Sequence, residues 1–383
     1  MTEKHHAKNH IGLVLSGGGA RAAYQVGVLK AISTAIPRNY GLPFPIVCGT
    51  SAGAINSTAL ACYASCYHLG VKKLEWVWKN FTTDQVYKSD WVGATRHFMR
   101  TMLAGTQAEY AIPRAVSLFN NVPLRLLLTK LLDFKRIDQN LLNGYLRALS
   151  TTASSYSTGE SVCFFQADKD IQTWHRSKRR GQKCMINVEH LMASSAIPMI
   201  FPSIEIQHEH FGDGSLHQLA PLSPPVHLGA DKILIIGLAQ SNKPSAHNIQ
   251  HTNPPGVGGI VGHLLDTIFN EALNADLERL QRINKTLDYV PPENQQQLGL
   301  KKIETMLIRP SKSFNRIAHK HYHEMPYAIK TMLRSIGINA RSESSIVSYL
   351  LFEKAYTREL IELGFHDGLA QLDSIKTFLE IDV

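Results

Sequence analysis

The sequence predicts an α/β fold: a central, mostly parallel sheet flanked by helices, with a helical C-terminal extension. Three observations carry this. Ile11-Gly12-Leu13-Val14-Leu15-Ser16 and Phe44-Pro45-Ile46-Val47-Cys48 are short apolar runs that read as strands buried on both faces. A helical stretch over 22–36 lies between them, and strand, helix, strand is the crossover unit of a parallel sheet. Beyond 260 the pattern is helical: Ile260, Leu264, Leu265, Ile268, Phe269, Ala272 and Leu273 form one apolar stripe. With 383 residues, 44% of them hydrophobic, the chain can bury a sizeable core. The expected division is a core over 11–240 and a mainly helical extension over 241–383 packed on it.

The first strand ends in a glycine turn, Gly17-Gly18-Gly19-Ala20-Arg21. Consecutive glycines let backbone N–H groups converge on one point at a helix start, which makes an anion cradle. Three chemistries use such a turn. A dinucleotide site needs an acid about 20 residues on, and none occurs between Arg21 and Leu74. A P-loop needs Gly-Lys-Ser/Thr, which is missing. An oxyanion hole is the third reading and the preferred one, because it also explains the next motif.

That motif is Gly49-Thr50-Ser51-Ala52-Gly53, between the second strand and a helix from 54 to 62. Gly-x-Ser-x-Gly at a strand-to-helix junction is the setting of a nucleophile elbow. Residues without bulk flank the serine, and the free N–H groups of the next helix face any oxyanion that forms beside it. The bland reading is a small-residue turn that packs a helix closely on a strand.

Helices are expected over 69–80, 90–104 and 138–150. Pro123 to Leu132 is short and very apolar, read as core or pocket wall, with a lid or lipid contact as the sharper alternative. Segments 160–167 and 171–175 read as a strand pair, and the basic run over 176–183 as a solvated loop. Leu191 to Pro202 reads as a helix end and a Pro-punctuated turn before a strand near Ile204. In Phe211-Gly212-Asp213-Gly214-Ser215 an acid sits between glycines, either a tight turn or a carboxylate on a rigid loop. Loops are expected over 241–255 and 291–297, a last sheet strand over 303–308, and three helices from Phe314 onward.

Taken together, Ser16 to Arg21, Gly49 to Gly53, Ala193-Ser194-Ser195-Ala196-Ile197-Pro198, Asp213-Gly214-Ser215 and Leu228-Gly229-Ala230-Asp231 occur in the order seen in a known family. The chain resembles the patatin-like phospholipases over roughly 11–240, and its tail, with Ser348 to Phe352 and Leu363-Gly364-Phe365, looks like bacterial members. The resemblance implies a three-layer fold and a serine acyl-ester hydrolase of the phospholipase A or lysophospholipase type. It implies a dyad, with Ser51 as nucleophile and Asp213 as general base. Gly17, Gly18 and Gly19 would match the oxyanion loop, and Arg21 the family's basic residue after it. Gly49, Gly53 and Gly214 would support the site. Ala22 stands where many members have Gly, and Ser215 where Gly or Ala is usual, so altered packing near the site is expected.

Two other functions compete. One is an α/β-hydrolase-type esterase with a Ser-Asp-His triad, for which His210 and His217 flank Asp213. Against it, the elbow follows the second strand, whereas in α/β-hydrolases the elbow comes late in the sheet and the chain order is Ser, acid, His. The other is a non-catalytic lipid-binding module. No metal or cofactor is expected; His319, His321 and His323 read as a solvated stretch, and Cys62 and Cys66 as ordinary small residues. The formal charge of +9 suits an anionic partner. Without a basic tail or a zinc-finger spacing that partner is not nucleic acid, and an anionic membrane surface carrying phospholipid or lysophospholipid is expected. The apolar run at 11–15 is too short for a signal-peptide core. A cytoplasmic protein is the default expectation, with a peripheral seat at the inner membrane face as the sharper one.

Overall fold

The structure is a computed structural model that describes residues 10–89, 117–240, 257–335, 337–338 and 345–381. The helix expected over 90–104 and the loop expected over 241–255 lie outside the described residues.

In chain order the strands are β1 (Ile11–Leu15), β2 (Ile46–Thr50), β3 (Lys88–Ser89), β4 (Phe119–Asn120), β5 (Ala148–Ser155) and β6 (Ser161–Ala167). They continue with β7 (Trp174–Arg176), β8 (Arg179–Lys183), β9 (Ile204–Ile206), β10 (Glu209–Asp213), β11 (Lys232–Ile236) and β12 (Glu304–Ile308). Ten of them form one sheet in the order β12-β11-β1-β2-β5-β6-β8-β7, with β10 paired to β5 and β9. From β12 to β5 every pairing is parallel. On its far edge β5 pairs with β6, and on the edge it shares with β2 it pairs beyond Thr152 with β10; both pairings are antiparallel. All five residues of β1 and of β2 are buried, as strands covered on both faces must be.

The register around β5 positions the site. Strand β2 runs parallel to β5 and stops with Thr50 opposite Thr152. Strand β10 runs the other way and stops with Asp213 opposite Ala153. The two strands therefore end head to head along the same edge of β5. Ser51 and Asp213, far apart in the chain, are brought to one point by that register.

Helices α1 (Ala23–Ser33), α2 (Ala52–Cys62) and α3 (Tyr67–Asn80) follow the two motifs. Helix α4 (Val122–Leu131) carries the apolar run, α5 (Val188–Ser194) precedes the Pro turn, and α6 (Lys354–Ala370) lies on α1. The α1–α6 contact is a glycine seam. A Cβ on Gly27 would lie 2.1 Å from the Ile361 carbonyl oxygen, and one on Gly364 would lie 2.1 Å from that of Tyr24. Gly27→Ala is thus expected to force the helices apart and to cost about 1–3 kcal/mol, read as a lower thermal midpoint. β12 and α6 both come from beyond residue 240. They extend the sheet edge and cover α1, so the tail shares the core of the preceding residues.

Several expectations are corrected. Segment 138–150 is not one helix: Lys135–Leu142 is helical and β5 starts at Ala148. Strand β5, Ala-Leu-Ser-Thr-Thr-Ala-Ser-Ser, is fully buried yet built mostly of small polar residues, so it has no apolar run to betray it. The expected strand pair does not pair with itself: β6 lies between β5 and β8, and β7 pairs with β8. The basic run is strand rather than loop, with the Arg180 charge met by Glu160 and Glu209. Residues Pro292–Gln297 are helical. Beyond Phe314 the described residues hold five α-helices, not three, divided around Pro326, Gly337 and Gln371. His321 is not solvated: its ring nitrogens lie 3.0 Å from Glu324 Oε1 and 2.7 Å from Glu359 Oε2.

Candidate active site

Ser51 occupies the junction between β2 and α2 with φ 55° and ψ −130°. A serine in that region is strained and needs its surroundings to hold it. They do so by close contact. A Cβ on Gly53 would lie 2.1 Å from the Leu15 carbonyl oxygen, so only glycine lets α2 start against the end of β1. The Ser51 amide donates to Ser194 Oγ at 2.8 Å, and that hydroxyl donates to the Thr152 carbonyl at 2.6 Å. Ser194, fully buried on α5, therefore ties the elbow to β5. Its motif was visible in the sequence, but this role was not.

The glycine turn lies beside the serine. A Cβ placed on Gly17 would stand 3.0 Å from Ser51 Cβ and 2.7 Å from Ser215 Oγ. Gly19 adopts φ +54° and starts a 3₁₀ turn, Gly19–Ala22, whose preceding residue Gly18 offers no side-chain cap. Among the described residues, the amides of Gly17, Gly18 and Gly19 donate no hydrogen bond. Free N–H groups at a helical start are donors for an anion. The loop is held from behind by Gln25, which donates to the Ser16 carbonyl at 2.8 Å.

Asp213 is 1% exposed. Its Oδ1 accepts the Ser215 amide at 2.9 Å. Burial pushes its pKa up to about 6, and the neighbouring Ser51 hydroxyl, with the Ser215 amide and hydroxyl, limits the rise. Oδ2 has no hydrogen-bond partner of full geometry, so the Ser51 hydroxyl stands by the carboxyl without a well-formed bond. Catalytic pairs are often loose before substrate tightens them. Ser215 thus serves the carboxyl directly, through its amide and its hydroxyl. Gly214 fits against the Thr152 carbonyl, and Gly49 against the first turn of α2.

Among the described residues, no histidine hydrogen-bonds Ser51 or Asp213. His217 Nδ1 is buried without a partner, and His210 is exposed. No group of three His, Cys, Asp or Glu among the described residues could hold a metal ion. Arg21 is buried but does not line the pocket described next; it turns toward the tail.

A cavity of about 290 Å³ opens from Ser51 and Gly19. Its walls are apolar: Ile55 and Ala59 of α2, Leu74 and Trp78 of α3, Leu124, Leu127, Leu128 and Leu131 of α4, and Phe201 and Phe352. The apolar run at 123–132 is thus a pocket wall. Lys73 and Lys130 also line the cavity, and neither has an acidic partner among the described residues. Such a tunnel suits an extended hydrocarbon chain whose reacting end lies at the serine.

Comparison with known proteins bears on this arrangement. A profile described as Patatin-like phospholipase matches residues 13–226, more than half of the chain. The chain belongs to the patatin-like phospholipase family. Shorter local matches agree. One is 51% identity over 51 residues to "Lysophospholipase nte1" of Aspergillus terreus, covering 13% of this chain and 3% of that protein. Another is 53% identity over 47 residues to "Neuropathy target esterase sws" of Drosophila persimilis, covering 12% and 3%. The match thus spans only a small part of either relative. Among solved structures, VipD from Legionella pneumophila is similar at a TM-score of 0.37, with 12% identity over 96% of this chain and 67% of that one. That superposition is too loose to carry an inference. The family profile ends at residue 226, so the parts of this patatin-like chain that follow it are described by its own structure alone.

Proposed function

We propose that the chain hydrolyses acyl esters of phospholipids or lysophospholipids through an acyl–Ser51 intermediate, with Asp213 as the general base. The observation that carries this is the head-to-head ending of β2 and β10 beside β5, which brings Asp213 next to Ser51, a residue that lines an apolar cavity. As Ser51 Oγ attacks the ester carbonyl, its proton passes to Asp213 and the carbonyl C–O π pair moves onto oxygen. The amides of Gly17, Gly18 and Gly19 receive that negative charge, usually the largest single contribution in such reactions. The tetrahedral centre then collapses, and the alcohol leaves with the proton from Asp213. Water, deprotonated by the same carboxylate, attacks the acyl-serine; the bond to Ser51 Oγ breaks, Asp213 returns the proton to that oxygen, and the fatty acid is freed. A carboxylate with a pKa near 6 is a better base at neutral pH than one at its ordinary value.

The names of the two relatives, a lysophospholipase and an esterase, agree with this substrate class. No described helix is long and apolar enough to cross a membrane. The net charge of +9 supports an approach to lipid at an anionic surface.

The test is fatty-acid release from vesicles of diacyl and monoacyl phospholipids. Wild type is expected to release it and Ser51→Ala to release none. Folded wild type inert on both lipids would contradict the reading. The cavity makes a further prediction. Leu128→Trp narrows the tunnel, so kcat/KM should fall for long acyl chains and stay level for short ones. Each methylene excluded costs about 0.8 kcal/mol, roughly fourfold.

A further inference from the structure

We propose that the tail beyond the family-matched region positions the glycine loop for catalysis, acting through Arg21. This rests on the hydrolase reading above. Arg21 is two residues past Gly19 and 4% exposed. Its Nε donates to Ser348 Oγ at 2.8 Å, one terminal nitrogen to Asp266 Oδ1 at 3.2 Å, and the other to Asn315 Oδ1 at 2.8 Å. The guanidinium lies 3.7 Å from the centroid of the Tyr349 ring, and the Tyr349 hydroxyl donates to the same Asp266 oxygen at 3.0 Å. Every nitrogen of the guanidinium is therefore committed, and every partner comes from beyond residue 226. A planar fork that is hydrogen-bonded and stacked at once has one orientation, which a lysine would not reproduce.

The same tail touches the loop itself. A Cβ on Gly19 would fall 2.3 Å from the Tyr349 carbonyl oxygen, and one on Gly17 would fall 3.0 Å from the Phe269 ring. The Phe269 and Tyr349 rings are 5.0 Å apart. Phe269 sits in a π turn, Thr267–Glu271, directly after Asp266. Such turns interrupt a helix at some cost and recur at functional sites. Here the interruption delivers Asp266 to Arg21 and Phe269 to Gly17. The loop is thus held between the sheet on one side and tail residues on the other. An oxyanion donor contributes only if its N–H is aimed where the charge will develop. Arg21 has no hydrogen bond to Ser51 and does not line the pocket, so it is a positioning residue.

The experiment uses the full chain with Arg21→Lys, Asp266→Asn and Tyr349→Phe, measuring kcat, KM and thermal midpoint on one phospholipid. In Arg21→Lys and Asp266→Asn we expect kcat to fall about 10–100-fold with KM within roughly twofold, since apolar binding is untouched. Tyr349→Phe keeps the stack, and its loss should be the smallest. Asp266 is partly exposed, so Asp266→Asn is the variant that decides if Arg21→Lys does not fold. An active wild type with kcat unchanged in Asp266→Asn overturns the positioning role alone. So does a variant whose KM rises and stability falls together, the mark of a merely structural contact. An inert, folded wild type overturns the hydrolase reading, and this inference with it.

Discussion

Asp213→Asn is expected to fold and to lose turnover by about 10²–10⁴-fold, the range a positioned general base supplies. The amide is nearly isosteric and keeps an oxygen for the Ser215 amide, but it cannot take the Ser51 proton. The pH dependence sharpens this. The base works only when ionised, so kcat/KM of the wild type should fall as pH drops through about 6, roughly tenfold per pH unit. Stability should run the opposite way. A carboxyl raised by burial favours the folded state when protonated. Its contribution is full below the ordinary carboxylate pKa and is lost as pH rises through about 6. The loss is on the order of 3 kcal/mol. Asparagine carries no such penalty, so the variant should lack this pH dependence and be at least as stable as wild type near pH 7. Chemical denaturation at pH 4.5 and 7.5 would measure it. A wild type whose activity is flat from pH 5 to 8 would mean that Asp213 is not the base.

Gly17→Ala is expected to lower kcat by about 10²–10³-fold, comparable to removal of an oxyanion donor. A methyl group there would stand 2.7 Å from Ser215 Oγ and 3.0 Å from Ser51 Cβ. Real Cβ contacts do not come that close to an oxygen, so the loop, the serine or the Asp213–Ser215 turn must shift. Each of those movements separates amide, hydroxyl and carboxyl. Steady-state kinetics on a soluble ester would check it. A variant with wild-type kcat would show that the Gly17 amide has no part in the reaction.

The sequence showed the two strands, both glycine motifs and the acid because each is local: an apolar run, a turn that needs small residues, a carboxylate between glycines. It could not show what depends on register. Nothing in Thr50 or Asp213 announces that each stops opposite adjacent residues of β5. Strand β5 itself was hidden, since Ser150, Thr151 and Thr152 are buried without an apolar signature. The basic run at 176–183 read as solvated because its neutralising acids, Glu160 and Glu209, lie elsewhere in the sequence. Arg21 was legible as a family position, yet its partners Asp266, Asn315, Ser348 and Tyr349 are hundreds of residues away. The wall formed by α4 was readable as an apolar stretch, but its helical form, which turns Leu124, Leu127, Leu128 and Leu131 to the cavity, was not.

The most direct measurement is rapid quenching of the wild type with a slowly deacylating acyl ester, followed by mass spectrometry of its peptides. An acyl group on the peptide that contains Ser51, formed in a burst equal to the enzyme present and missing from Ser51→Ala, is the predicted result. Turnover that persists in Ser51→Ala, or an acyl group found on another residue while Ser51 stays unmodified, would contradict it.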